Sequence, residues 1–152
     1  MNDADFMAEA LIEAEKAAAA GEVPIGAVAV DGNGIIIARA HNKVEQLHTV
    51  AAHAEFVLLH EIEKITDDWR MSDYTFYITK EPCPMCAGML INSRVKRVVF
   101  GAGDPASGGM GGAFDLNKIP GLLWHCEVTS GVMAEESLLI IRNFFRRRRL
   151  EK

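Results

Sequence analysis

The stretch Tyr74-Thr75-Phe76-Tyr77-Ile78-Thr79-Lys80-Glu81-Pro82-Cys83-Pro84-Met85-Cys86 decides how this chain folds. Its first part, Tyr74 to Thr79, is rich in β-branched and aromatic residues and reads as a strand. Pro84 suits the first turn of a helix, where its missing N–H has no partner to lose. That helix is expected to run to about Ser93, and Val95 to Phe100 reads as the next strand. Toward the N-terminus, Ala52 to Lys64 reads as a helix with Phe56, Leu59 and Ile62 among its apolar positions. Asn42 to Val50 reads as loop. Ile25 to Val30 and Ile35 to Ala40 read as strands joined by the hairpin turn Asp31-Gly32-Asn33-Gly34. Asp3 is expected to cap a first helix. Its Phe6, Met7, Ala10, Leu11, Ala14, Ala17 and Ala18 recur with a period of about 3.6, and Gly21 ends it. Toward the C-terminus, six glycines between Gly101 and Gly112 exclude either regular element. Cys126 to Thr129 reads as a last strand and Ala134 to Arg149 as a closing helix. This order predicts an α/β fold, a three-layer α/β/α arrangement on a mixed central sheet. No repeat or linker divides residues 1–152, so one domain is expected.

At 152 residues, 49% hydrophobic and 24% charged, the chain has the profile of an ordinary globular protein rather than a disordered or collagen-like one. It is long enough to bury a core without disulfides. No apolar run reaches the roughly 18 residues of a membrane span, and residues 1–9 lack the pattern of a signal peptide. Three cysteines make a secreted disulfide framework a poor reading and favour a reducing, cytoplasmic location. The net charge of −5 hides an asymmetry. Residues 142–152 hold Arg142, Arg146, Arg147, Arg148, Arg149 and Lys152 against Glu151, a net +5, which leaves −10 to the rest. A polyanion would therefore have to be met by a local patch near the C-terminus.

Chemistry concentrates at His53-Ala54-Glu55 and, 27 residues further on, at Cys83-Pro84-Met85-Cys86. Two cysteines three apart at a helix start lie on one face, where the helix N-terminus favours their thiolates. With the imidazole of His53 they make a ligand set suited in softness and charge to Zn²⁺. Three protein ligands leave one tetrahedral position for water, as in a catalytic zinc site, and zinc can lower that water's pKa to about 7. Glu55, two residues from His53, need not share the ion and is placed for acid–base work.

Other readings stand beside this one. A Cys-x-x-Cys pair also serves as a redox couple or as half of a structural zinc site. A structural site needs a fourth ligand, for which Cys126, His41, His48 and His125 are available. His60 is not, because seven helical residues carry it roughly 10 Å along the axis from His53. Trp69, Trp124 and Cys126 read as packing residues. Gly101 to Ala106 loosely matches a dinucleotide fingerprint, but Pro105 interrupts the helix that motif requires.

The joint pattern His-x-Glu … Pro-Cys-x-x-Cys is that of the zinc nucleobase deaminases. Beyond it, nearly the whole chain resembles the bacterial tRNA-specific adenosine deaminases of the cytidine-deaminase-like superfamily. The resemblance is carried by residues 23–28 (VPIGAV), Ala40-His41-Asn42, Ala52-His53-Ala54-Glu55 and residues 81–89 (EPCPMCAGM). It continues through residues 97–102 (RVVFGA), Asp104-Pro105 and Phe144-Phe145-Arg146. It implies a cytidine-deaminase-like fold, zinc on His53, Cys83 and Cys86, and Glu55 as proton shuttle. It implies a wobble adenosine of a tRNA anticodon stem-loop as substrate and inosine as product. Asn42 would hydrogen-bond the base, the backbone of Ala54 would meet the leaving amine, and Asp104 would contact a neighbouring nucleotide. Phe145 and Arg146 would belong to an RNA-facing end, where aromatic stacking and arginine hold unpaired loops; one of Phe144 and Phe145 is expected to face the core. The resemblance also implies a homodimer.

Four departures fall near the substrate. Thr49-Val50-Ala51 stands where the family commonly has Asp-x-Thr. Lys80 replaces a usual leucine, Gly103 a residue that is often polar or basic, and Leu123-Trp124 an Asn-His pair. They leave a second reading open, deamination of a free purine, a nucleoside or another small aminated heterocycle.

Overall fold

The computed structural model describes residues 1–151. The elements are α1 (Asp3–Ala19), β1 (Gly26–Val30), β2 (Ile36–His41), α2 (Val44–Leu47), α3 (Ala54–Thr66), β3 (Thr75–Lys80), α4 (Pro84–Asn92), β4 (Arg97–Ala102), β5 (Glu127–Thr129) and α5 (Ala134–Leu150). Single 3₁₀ turns occur at Val50–Ala52 and Leu116–Lys118. The strands form one sheet in the order β2-β1-β3-β4-β5. β1 runs antiparallel to both β2 and β3, while β3, β4 and β5 are parallel. The sheet is therefore mixed, as expected.

Both faces of the sheet are covered, and the strands show why. Side chains alternate along a strand, so Ala27, Ala29, Phe76, Ile78, Val98 and Phe100 join one buried cluster with Leu58 and Ile62 of α3 and Leu90 of α4. Their neighbours Val28, Val30, Tyr77 and Val99 join a second cluster with Phe6, Met7 and Ala10 of α1. α5 packs beside α1 on that second face. β1 lies so close to α1 that a Cβ at Gly26 would overlap the backbone at Ala10 and Ala14.

Several sequence expectations shift locally. Asn2, not Asp3, caps α1: its Oδ1 accepts from the Asp5 amide at 2.9 Å, and Asp5 Oδ2 accepts from the Asn2 amide at 2.8 Å. This reciprocal box satisfies two amide donors and releases Asp3 for a long-range task. Asp3 takes a two-pronged ion pair from Arg97 of β4 at 2.9 and 2.7 Å and the Tyr77 hydroxyl at 2.7 Å. The segment read as loop from Asn42 to Val50 contains α2, whose amides at Glu45 and Gln46 donate to the buried carboxylate of Glu22 at 3.0 and 2.8 Å. α3 starts at Ala54 rather than Ala52 because His53 is extended, with φ −54° and ψ 151°. Trp124 packs against the core and donates its ring N–H to Val95 O at 2.9 Å. Trp69 is exposed, with the Arg70 guanidinium over its ring. Among the described residues no helix is long and apolar enough to cross a membrane; Lys152 lies outside them.

Candidate active site

Two helix starts converge to build the site. His53 occupies the cap position of α3, and its extended backbone takes the imidazole out of the helical array. Cys83 caps α4, Pro84 opens that helix, and Cys86 sits one turn in. His53 Nδ1 lies 3.7 Å from Cys83 Sγ and 3.4 Å from Cys86 Sγ. The three donor atoms all fall within 4.8 Å of one another. Donors held about 2.0 and 2.3 Å from one tetrahedral ion are themselves about 3.5 Å apart, so nitrogen and sulfur are already spaced for zinc. None of Cys126, His41, His48 and His125 joins this group among the described residues, and His60 pairs instead with Glu63.

The electrostatics prepare the same donors. A hydrogen bond from the Cys86 thiol, aided by His53, brings the Cys83 thiol down to about 4. Cys86 is pushed the opposite way by Cys83 and by burial. The Cys83 thiolate in turn raises the His53 imidazole above its ordinary value. Glu55, one residue into α3, is almost fully buried. Burial pushes its carboxyl up from the usual carboxylate range. A carboxyl with a raised pKa beside a metal site can both accept and return a proton.

The site opens into a cavity of about 410 Å³, lined by Val23, Asn42, His53, Ala54, Phe145 and Arg148 among others. Asn42 is buried and aligned from both ends. Its Nδ2 donates to Val23 O and its Oδ1 accepts from the Val44 amide, each at 3.2 Å. Phe145 stands exposed at the cavity wall while Phe144 is buried at 5% exposure, so the pair divides between surface and core as expected. Arg148 stacks over Phe144 and donates to Gly21 O at 2.6 Å. Arg146 lies away from this cavity, in a separate depression with Glu15, Asn143 and Arg147.

Asp104 belongs to the glycine loop. Its carboxylate accepts from the amides of Ala106 and Ser107 and from the Ser107 hydroxyl, at 3.0, 3.1 and 2.8 Å. It also pairs with Lys80 at 3.2 Å. The residue that organises this loop is Glu81, which the sequence reading passed over. Its buried carboxylate accepts the amides of Asp104, Met110 and Gly112 at 2.9, 3.0 and 2.8 Å. A Cβ at Gly108 would overlap that carboxylate, which explains a glycine there better than any phosphate-binding role. The signal available in the sequence was an acidic residue directly before the Pro-Cys turn, at the end of a buried strand.

Comparison with known proteins fixes the lineage. The model of the MafB19-like deaminase family matches residues 1–149. The tRNA-specific adenosine deaminase of Bacillus subtilis (strain 168) is 48% identical over 147 residues, covering 97% of this chain and 91% of that protein. The chain belongs to the tRNA-specific adenosine deaminase family. The family member of Haemophilus influenzae is 42% identical over 150 residues, covering 99% of this chain and 87% of that protein. A solved structure from work on A-to-I editing by tRNA:A34 deaminases superposes with a TM-score of 0.86 at 36% identity, over 90% of this chain and 98% of that one. The three-layer α/β fold of the sequence reading is the fold of this deaminase family.

Proposed function

We propose that this chain hydrolytically deaminates adenosine to inosine at the wobble position of a tRNA anticodon. The observation that carries the reading is the His53, Cys83 and Cys86 cluster, with the buried Glu55 two residues from His53 and His53 itself lining a cavity walled by Asn42 and Phe145. Its family setting supplies the substrate class: the relatives at 48% and 42% identity are tRNA-specific adenosine deaminases.

His53, Cys83 and Cys86 would hold zinc, which supplies Lewis acidity and makes water a nucleophile at neutral pH. The remaining steps fall to the chain. A flipped adenine enters the cavity, and the Asn42 amide offers it both a donor and an acceptor. Glu55 takes a proton from water and passes it to the ring nitrogen beside C6. Oxygen bonds to C6, Glu55 carries the remaining hydroxyl proton to the exocyclic nitrogen, the C6–N bond breaks as C6=O forms, and ammonia leaves past the Ala54 backbone and Glu55. The balance is one water consumed and one ammonia released. Phe145 offers a stacking face, while Asp104 contacts a neighbouring nucleotide. Arg146, on a different part of α5, serves the approach of the RNA rather than the cavity. Three free thiols, Cys83, Cys86 and Cys126, accord with a reducing cytoplasm. The homodimer that the resemblance implies is read by light scattering.

The test is incubation of the purified protein with anticodon stem-loop RNA and with a panel of free purines, with inosine read by sequencing and ammonia by a coupled assay. Inosine at the wobble position is expected. Ammonia from small purines with none from RNA would replace this reading with the small-heterocycle one.

A further inference from the structure

Lys80 is the last residue of β3, and it stands in register with Ala102, the last residue of the parallel neighbour β4. The residue that follows β4 is Gly103, which has no side chain, so the cation at this strand end comes from β3. It supplies a cation. Lys80 Nζ lies 3.2 Å from Asp104 Oδ2, with its side chain 32% exposed. Among the described residues this is the one ion pair of the Lys80 ammonium, which leaves N–H donors free to turn outward.

The surroundings need that cation. Asp104 is a fixed anion: bonds from Ser107 foremost, with Lys80 and Ala106 also contributing, hold its carboxyl down to about 2. Glu81, next in sequence, puts a second carboxylate into the same loop. The segment also belongs to the part of the chain that carries the net negative charge. Without Lys80, an approaching phosphodiester would meet the Asp104 carboxylate with no ammonium paired to it. Lys80 stands three residues before Cys83, at the strand end that leads into the candidate metal-binding turn.

We propose that Lys80 is a specificity-determining residue, its ammonium offsetting Asp104 and offering a phosphate contact that favours an RNA strand over an uncharged purine. The inference rests on the proposed RNA substrate. It implies that the position of the cation along the chain matters less than its presence at this corner. Gly103 has a negative or extended backbone, and a Cβ there would stand 3.6 Å from Glu81 Oε1, an ordinary contact. An arginine at 103 can therefore take over from Lys80.

The experiment compares wild type, Lys80→Leu, Lys80→Arg and the double variant Lys80→Leu/Gly103→Arg on anticodon stem-loop RNA over a range of salt, by inosine formation and by fluorescence anisotropy of the labelled RNA. In Lys80→Leu, KM and Kd should rise about three- to tenfold at low salt with kcat within twofold. The slope of log Kd against log salt should flatten by about 0.7, the value for one phosphate contact on a single strand. Lys80→Arg and the double variant should restore both. Unchanged Kd and slope in Lys80→Leu would overturn the inference, as would a loss that neither arginine variant restores. Anisotropy judges Lys80 without turnover, so wild type that binds RNA yet forms no inosine would overturn the proposed function alone.

Discussion

Glu81 and Gly112 are joined by a 2.8 Å hydrogen bond that ties the glycine loop to the residue preceding the metal-binding turn. With the Asp104 and Met110 amides on the same carboxylate, one buried side chain sets the position of a nine-residue excursion. Pro82 O accepts the Gly109 amide at 2.7 Å and holds the loop from the other side. Glu81→Ala leaves three amides without their acceptor. The Met110 amide is the buried one of the three, and a buried orphan costs about 1–3 kcal/mol, so stability should fall by about that amount in thermal unfolding. Gly108→Ala should act the same way through its overlap with Glu81. Zinc content measured on the folded fraction should stay near wild type in both, because neither change touches a ligand.

Metal retention and proton transfer are separable. Cys83→Ala or Cys86→Ala removes one of three donors and should abolish stoichiometric zinc by elemental analysis. Glu55→Gln keeps all three and should retain zinc while losing at least about 10²-fold in kcat, as expected when a positioned acid–base group is removed. A Glu55→Gln protein with wild-type turnover would eliminate Glu55 as the proton carrier.

The Asp3, Tyr77 and Arg97 cluster should shape stability at both ends of the pH scale. Arg97, with Tyr77, holds the Asp3 carboxyl below its ordinary value. The folded state therefore binds this proton less readily than the unfolded chain does. The resulting stabilisation is present above about pH 4 and lost as pH falls through the folded value. Tyr77 goes the other way: burial, then the bond to Asp3, pushes its phenol up to about 12. That contribution is complete below about pH 10 and disappears between pH 10 and 12, a change on the order of 2 kcal/mol. Urea unfolding across pH should show Asp3→Asn flattening the acid limb and Tyr77→Phe flattening the alkaline one.

Adjacent phenylalanines should give opposite signatures. Phe144 is 5% exposed and Phe145 43%. Phe144→Ala should cost about 3–5 kcal/mol of stability through the cavity it leaves. Phe145→Ala should leave the unfolding midpoint nearly unchanged and raise KM for stem-loop RNA about tenfold, the loss of one stacking contact. Differential scanning calorimetry and steady-state kinetics on the two proteins separate the roles.

Element type was legible because apolar period is a local property. The apolar, β-branched and aromatic runs of β1, β3 and β4 and the helical spacing from Phe6 to Ala17 are written in neighbouring residues, and so is the His-x-Glu … Pro-Cys-x-x-Cys pattern that named the candidate metal ligands. The cap of α1 was misread because Asn2 and Asp3 are both good caps, and the choice turns on Arg97, 94 residues away. The role of Glu81 was hidden for a similar reason. An acid directly before the Pro-Cys turn is visible in the sequence, but its three partners lie 23 to 31 residues downstream.

By itself, then, the order of residues determined most of the secondary structure and the three-layer arrangement and picked out a candidate donor set, since each follows from side-chain chemistry at short spacing. Tertiary structure alone decided how the imidazole is aimed at the two sulfurs, which of two phenylalanines meets solvent, and that Lys80 and Asp104 face each other across a strand end. Those outcomes depend on distances between segments remote in the chain, and only the closing of the sheet and the packing of helices against it sets such distances.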